Sequence, residues 1–148
     1  MRAAQPFASL LVRGTTEDRR LLNSPIVSIV DDDHAVRTSI ANLVRSMGWQ
    51  PQVFESAEAF LHSGQIDATA CLISDVQMPG ISGPDMQLRL IEQSRVLPII
   101  FITAFPNDAL KSQVISNGAL DMFTKPLDIA AILHRIELVL GTAGSTVA

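Results

Sequence analysis

The stretch Ile26-Val27-Ser28-Ile29-Val30-Asp31-Asp32-Asp33 decides how this chain is read. Apolar β-branched residues around a single serine suit a strand buried on both faces, and carboxylates follow directly at its end. Clustered like charges each disfavour ionisation of the next unless a cation neutralises them. A second apolar segment, Cys71-Leu72-Ile73-Ser74-Asp75, ends the same way. Two buried strands that end in aspartate describe an oxygen-ligand site for a hard divalent cation such as Mg²⁺.

Outward from these segments, apolar runs alternate with amphipathic ones. Val36, Ile40, Leu43, Val44 and Met47 fall at helical spacing, with Asp33 as N-cap and Gly48 as a left-handed cap. Gln52-Val53-Phe54 reads as a short strand, and Ser56 as the N-cap of a short helix through Ala57, Phe60 and Leu61. After Asp75 a loop through Gly83 leads to a helix through Met86, Leu90 and Ile91. Pro98-Ile99-Ile100-Phe101-Ile102 is a fourth strand, and Pro106 suits the first turn of a helix that stops at Asn117-Gly118. Asp121-Met122-Phe123 is a fifth strand before Lys125-Pro126. Asp128 then caps a last helix whose apolar side carries Ile132, Leu133, Ile136, Val139 and Leu140. Trp49, just past Gly48, is expected to cover a loop. Near-continuous apolar strands between helices describe a parallel sheet covered on both faces, and such sheets gather ligands outside the carboxyl ends of their strands.

Composition narrows the function classes. With 148 residues, 47% hydrophobic and 18% charged, the chain can bury one core and is too apolar to be disordered. A single domain over residues 25–141 is expected, with a flexible extension or docking arm over 1–24 and a disordered tail over 142–148. A net charge of −4 with scattered Lys and Arg argues against direct nucleic-acid binding. No apolar run reaches the roughly 18–20 residues that span a bilayer, so no membrane partner is expected. The single cysteine, Cys71, rules out an internal disulfide and fits a reducing, cytoplasmic compartment as a buried structural thiol. His34, His62 and His134 show no metal-ligand spacing and read as surface residues.

Four segments carry a family resemblance: Ile29-Val30-Asp31-Asp32-Asp33, Ser74-Asp75-Val76-Gln77-Met78-Pro79-Gly80-Ile81-Ser82-Gly83, Ile102-Thr103-Ala104 and Thr124-Lys125-Pro126-Leu127. In this order the chain resembles the receiver domain of bacterial two-component response regulators. The stretch Phe54-Glu55-Ser56-Ala57-Glu58-Ala59-Phe60-Leu61 is similar to the FixJ-like group. The resemblance implies a flavodoxin-like, doubly wound parallel sheet of five strands in the order 2-1-3-4-5, with helices on both faces. It implies Asp75 as phosphoacceptor and Mg²⁺ as cofactor, held by Asp32, Asp75 and the backbone carbonyl of Gln77, with Asp31 in support. Lys125 would steady a phosphoryl oxygen, Thr103 would bond the phosphoryl group through its hydroxyl, and the Lys125–Pro126 bond would be cis. Ala104, Phe105 and Met122 fall at switch and tuning positions. Met122 stands where the family usually has an aromatic, and bulky Phe105 is expected to slow loss of the phosphoryl group by restricting water.

The resemblance further implies a sensor histidine kinase as phosphodonor. It also implies a downstream partner, or a second copy, docking on the fourth helix, fifth strand and fifth helix. The chain would then be a stand-alone receiver or the input half of a larger regulator, and not an enzyme beyond its own phosphorylation and dephosphorylation. Three other readings stay open. A Mg²⁺ phosphohydrolase with an Asp nucleophile would want a second Asp where Gln77 stands. A nucleotide or flavin carrier would want a Gly-rich or hydroxyl-rich loop after the first strand. A receiver-like module acting without phosphorylation would not need the full set of Asp32, Asp75, Thr103 and Lys125.

Overall fold

The computed structural model describes residues 24–141; the features expected for residues 1–23 and 142–148 lie outside the described residues. Five strands alternate with five helices: β1 Ile26–Val30, α1 His34–Ser46, β2 Gln50–Phe54, α2 Ala57–Leu61, β3 Thr69–Asp75, α3 Gly83–Glu92, β4 Ile99–Thr103, α4 Asp108–Ser116, β5 Asp121–Thr124 and α5 Ile129–Leu140. The strands form one parallel sheet in the order β2-β1-β3-β4-β5. This is the flavodoxin-like doubly wound arrangement expected from the sequence.

Side-chain alternation along the strands builds two cores. Val27, Ile29, Cys71, Ile73, Ile100 and Ile102 pack with Ile40 and Val44 of α1 and with Ile132 and Ile136 of α5. Leu72, Phe101 and Met122 point the other way, into Phe60 of α2, Met86 and Leu90 of α3 and Val114 of α4. Each fully buried aliphatic or aromatic side chain contributes roughly 1.5–3 kcal/mol. Burial pushes the Cys71 thiol up to about 12, so it stays protonated inside the first core.

Helix ends follow local chemistry. The Asp33 carboxylate accepts from Ala35 N–H at 2.9 Å and Val36 N–H at 3.3 Å; Ser56, Ser82, Asn107 and Asp128 cap the other four helices in the same manner. Helix α1 closes with Gly48 N–H donating to Arg45 O and Trp49 N–H to Val44 O, a glycine-terminated motif that α4 repeats at Gly118 and Ala119.

Two expectations need correction. Trp49 is 2% exposed and belongs to the α1–α5 core. The closing motif at Gly48 turns the next side chain back towards the last helical turn, which places it inside. Pro106 does not enter α4: the helix starts at Asp108 with Asn107 as N-cap, so the proline fixes the chain one residue earlier.

Candidate functional site

From β1 the chain goes to β2 on one side, whereas β3 lies on the other, so a crevice opens between the ends of β1 and β3. Asp31 and Asp32 leave the end of β1 there, and Asp75 ends β3. Carboxylate oxygens of Asp31, Asp32 and Asp75 all lie within 4.8 Å of one another. Asp31 is fully buried, Asp75 is 6% exposed, and Asp32 faces solvent.

Lys125 reaches this group from the end of β5. Its Nζ lies 3.2 Å from Asp31 Oδ2 and 3.5 Å from Asp75 Oδ2. The remaining oxygen of Asp31 accepts the Asp33 N–H at 2.8 Å, so both its carboxylate atoms are held. The backbone of Asp31 is held as well: Arg37 Nη1 donates to its carbonyl at 2.6 Å. Arg37 was not singled out in the sequence. Its signal in the sequence is a cation three residues before Ile40, at helical spacing on the apolar side of α1; in the fold it is only 8% exposed.

The loop after β3 must pass close to the strand end. Gly83 N–H donates to Val76 O at 2.9 Å, and a Cβ on Gly83 would drive into the backbone carbonyl of Asp75 and lie 2.9 Å from the Phe101 ring. Only glycine lets α3 begin there. Thr103, at the end of β4, is buried; its hydroxyl accepts from Phe105 N–H at 3.0 Å and lies 3.3 Å from Phe105 O, to which it donates. The Lys125 N–H donates to Thr103 O at 2.7 Å, which ties the two functional strand ends together.

Electrostatics follow from this packing. Burial, together with the Asp31 charge, pushes Asp75 up to about 6, against the opposing pull of Lys125. Burial works against the Lys125 ammonium, but Asp31 and Asp75 outweigh it and hold its pKa above the ordinary lysine value. One ammonium faces three carboxylates, a balance that favours an added cation with oxygen preference.

Asp31, Asp32, Asp75 and Lys125 therefore converge, with Thr103 joined to Lys125 through the backbone. Gln77 is exposed two residues past Asp75, and Ala104 is exposed beside Thr103. The Lys125–Pro126 peptide bond is cis. Met122 does not join the group: it is buried in the core with Phe101 and Val114, while Phe123 packs on the opposite side of the sheet. The Phe105 side chain stands 66% exposed in the β4–α4 loop.

Comparison with known proteins places this geometry in context. Residues 27–137 match the model of the response regulator receiver domain. The chain is 43% identical over 119 residues to the response regulator protein TmoT of Ectopseudomonas mendocina, covering 80% of this chain and 54% of that protein. It is 36% identical over 115 residues to the transcriptional regulatory protein FixJ of Azorhizobium caulinodans, covering 78% and 54%. It thus spans about half the length of these curated relatives. Among solved structures, the response regulator StyR superposes with a TM-score of 0.74 at 35% identity, over 83% of this chain and 62% of that one. The crystal structure of FixJ-N gives 0.68 at 30%, over 78% and 92%. With its acidic crevice at the β1–β3 switch point, a lysine from β5 closing it and a family match over most of its length, the chain belongs to the response regulator receiver domains of two-component signalling.

Proposed function

We propose that Asp75 accepts a phosphoryl group from a phosphohistidine of a sensor kinase and that the resulting charge switches a protein-binding face. The observation that carries this reading is the position of Lys125 Nζ, which serves Asp31 and Asp75 at once. Asp31, Asp32 and Asp75 offer hard oxygen donors of the kind Mg²⁺ takes, and the Gln77 carbonyl lies on the adjoining loop. When bound, Mg²⁺ supplies charge neutralisation at the phosphoryl oxygens. An oxygen of the Asp75 carboxylate forms the new O–P bond while the P–N bond to imidazole breaks. The imidazole leaves with the electron pair and takes a proton from solvent. Lys125 donates to a phosphoryl oxygen, and charge developing there strengthens that bond.

The readout begins at Thr103. A hydroxyl has one proton to donate, so bonding the phosphoryl group exchanges its bond to the Phe105 carbonyl. The β4–α4 loop is thereby biased, and with it the face of α4, β5 and α5, where Ile115, Ile129 and Leu138 are exposed. That face takes a downstream partner or a second copy. Met122, already buried, makes a loop-borne switch a better fit than an aromatic swing at β5. Phe105 then tunes phosphoryl lifetime by its bulk near the site. Residues 25–141 act as the receiver unit in the cytoplasm, with Mg²⁺ as cofactor and without turnover of a substrate pool. The exposed Gln77 offers no carboxylate for the acid/base step of a phosphohydrolase.

The test is incubation with Mg²⁺ and a small phosphodonor, read by intact mass and by oligomeric state. One phosphoryl group should add to wild type and none to Asp75→Asn, and Phe105→Ala should lose the group several-fold faster. Phosphorylation of Asp75→Asn at the wild-type rate would overturn the assignment. Steady release of phosphate from a small ester at constant rate would favour the hydrolase instead.

A further inference from the structure

The loop from Val76 to Ser82 joins β3 to α3, and a carboxylate from a different element grips its later half at Gly80 and Ile81. Glu58 lies in the first turn of α2, and its Oε2 accepts the Ile81 N–H at 3.2 Å across a separation of 23 residues. Gly80 lies flush against the same carboxylate: a Cβ there would strike Glu58 Oε2, and its φ of +82° is one that side chains rarely adopt. The second oxygen, Oε1, is buried and accepts no hydrogen bond from the described residues. A glutamate that served only the N-terminus of α2 would keep its charge in solvent beside the helix amides, which Ser56 already caps. Burying a carboxylate oxygen without a partner is costly. The cost is borne on the loop that follows β3.

The loop is closed at its ends, where Gly83 N–H donates to the Val76 carbonyl and Gly83 lies flush against the Asp75 carbonyl. Between Val76, held at that closure, and Gly80, held by Glu58, lies the segment with Gln77. We propose that Glu58 is a positioning residue: by holding Ile81 and Gly80 it sets where the Gln77 carbonyl stands relative to Asp75, and so sets the affinity of the acidic site for Mg²⁺. The proposal rests on the reading of that site given above. It assigns a role in the site to α2, an element that contributes no group to the crevice. Hydrogen-bonded partners of this outer kind typically shift metal affinity by about 10–100-fold.

The experiment measures Mg²⁺ binding to the whole chain by calorimetry, with amide hydrogen exchange at Ile81 and a thermal melt as companions. Glu58→Ala should speed Ile81 exchange and weaken Mg²⁺ binding about tenfold. Glu58→Gln keeps an oxygen that can accept the Ile81 N–H and should stay near wild type. Gly80→Ala should push the carboxylate aside and reproduce Glu58→Ala. Adding it to Glu58→Ala should weaken binding by less than the two single effects combined, the mark of coupled residues. Faster exchange at Ile81 with unchanged Mg²⁺ affinity would reduce Glu58 to a structural tether and end the proposal. If Glu58→Ala does not fold, Glu58→Gln and Gly80→Ala decide the matter by the same binding measurement. Wild type that binds no Mg²⁺ at all would overturn the reading of the acidic site, and the role of Glu58 with it.

Discussion

Replacing Asp75 by asparagine should make the metal-free protein more stable at neutral pH. Asp75 is 6% exposed and its acid is pushed from 3.8 up to about 6, chiefly by burial and by Asp31. The native state therefore binds more protons than the unfolded chain between those values. The contribution of the neutral acid is complete below pH 3.8 and is lost as pH rises through about 6. At about 1.36 kcal/mol per pKa unit the full loss is ~3 kcal/mol. Solvent entering the crevice and relaxation around the charge reduce this to about 1–2 kcal/mol. Asparagine cannot ionise and keeps the neutral form at every pH. Urea unfolding in EDTA should thus give Asp75→Asn an advantage of about 1–2 kcal/mol at pH 8 that shrinks towards zero near pH 4. Mg²⁺ should narrow or reverse the gap by binding wild type more tightly. An Asp75→Asn protein that is less stable at pH 8, or an offset independent of pH, would refute the electrostatic account.

Other perturbations follow from the same contacts. Lys125→Met leaves the buried carboxylates of Asp31 and Asp75 without their ammonium, and should cost about 2–4 kcal/mol in EDTA at pH 8 by urea unfolding, less near pH 4. Mg²⁺ should recover part of that loss. Gly83→Ala forces a Cβ onto the Asp75 carbonyl and the Phe101 ring, so a thermal or urea melt should show about 1–3 kcal/mol of destabilisation. Arg37→Met removes the donor to the Asp31 carbonyl and should cost about 1–3 kcal/mol, with Lys125→Met non-additive because both act on Asp31.

The helix caps show how much local chemistry reveals. Asp33, Ser56, Asp128 and Gly48 lie where a side-chain acceptor or a left-handed backbone meets neighbours only a few residues away, so their roles are legible from spacing. The same Gly48 cap turns Trp49 inward, yet spacing alone sets it on a loop, because the core that takes its ring is closed by α5, far along the chain. Lys125 is 94 residues from Asp31, and nothing in spacing joins them; the resemblance implied a lysine beside Asp75, and the packed sheet sets it on Asp31 as well.

By itself the sequence determined that the strands around Ile29, Ile73 and Ile100 would be buried on both faces, that helices would separate them, and that two strands would end in carboxylates. These are consequences of hydrophobic period and of residues adjacent in the chain. Only the tertiary structure decided that β1 and β3 lie side by side at the switch point, and that Lys125 closes the crevice above them. It alone decided that Arg37 and Glu58, two ordinary surface-type residues in the sequence, turn inward to hold the backbone around it. Charge and hydrogen bonding act through space, and distance along the chain does not report distance in the fold.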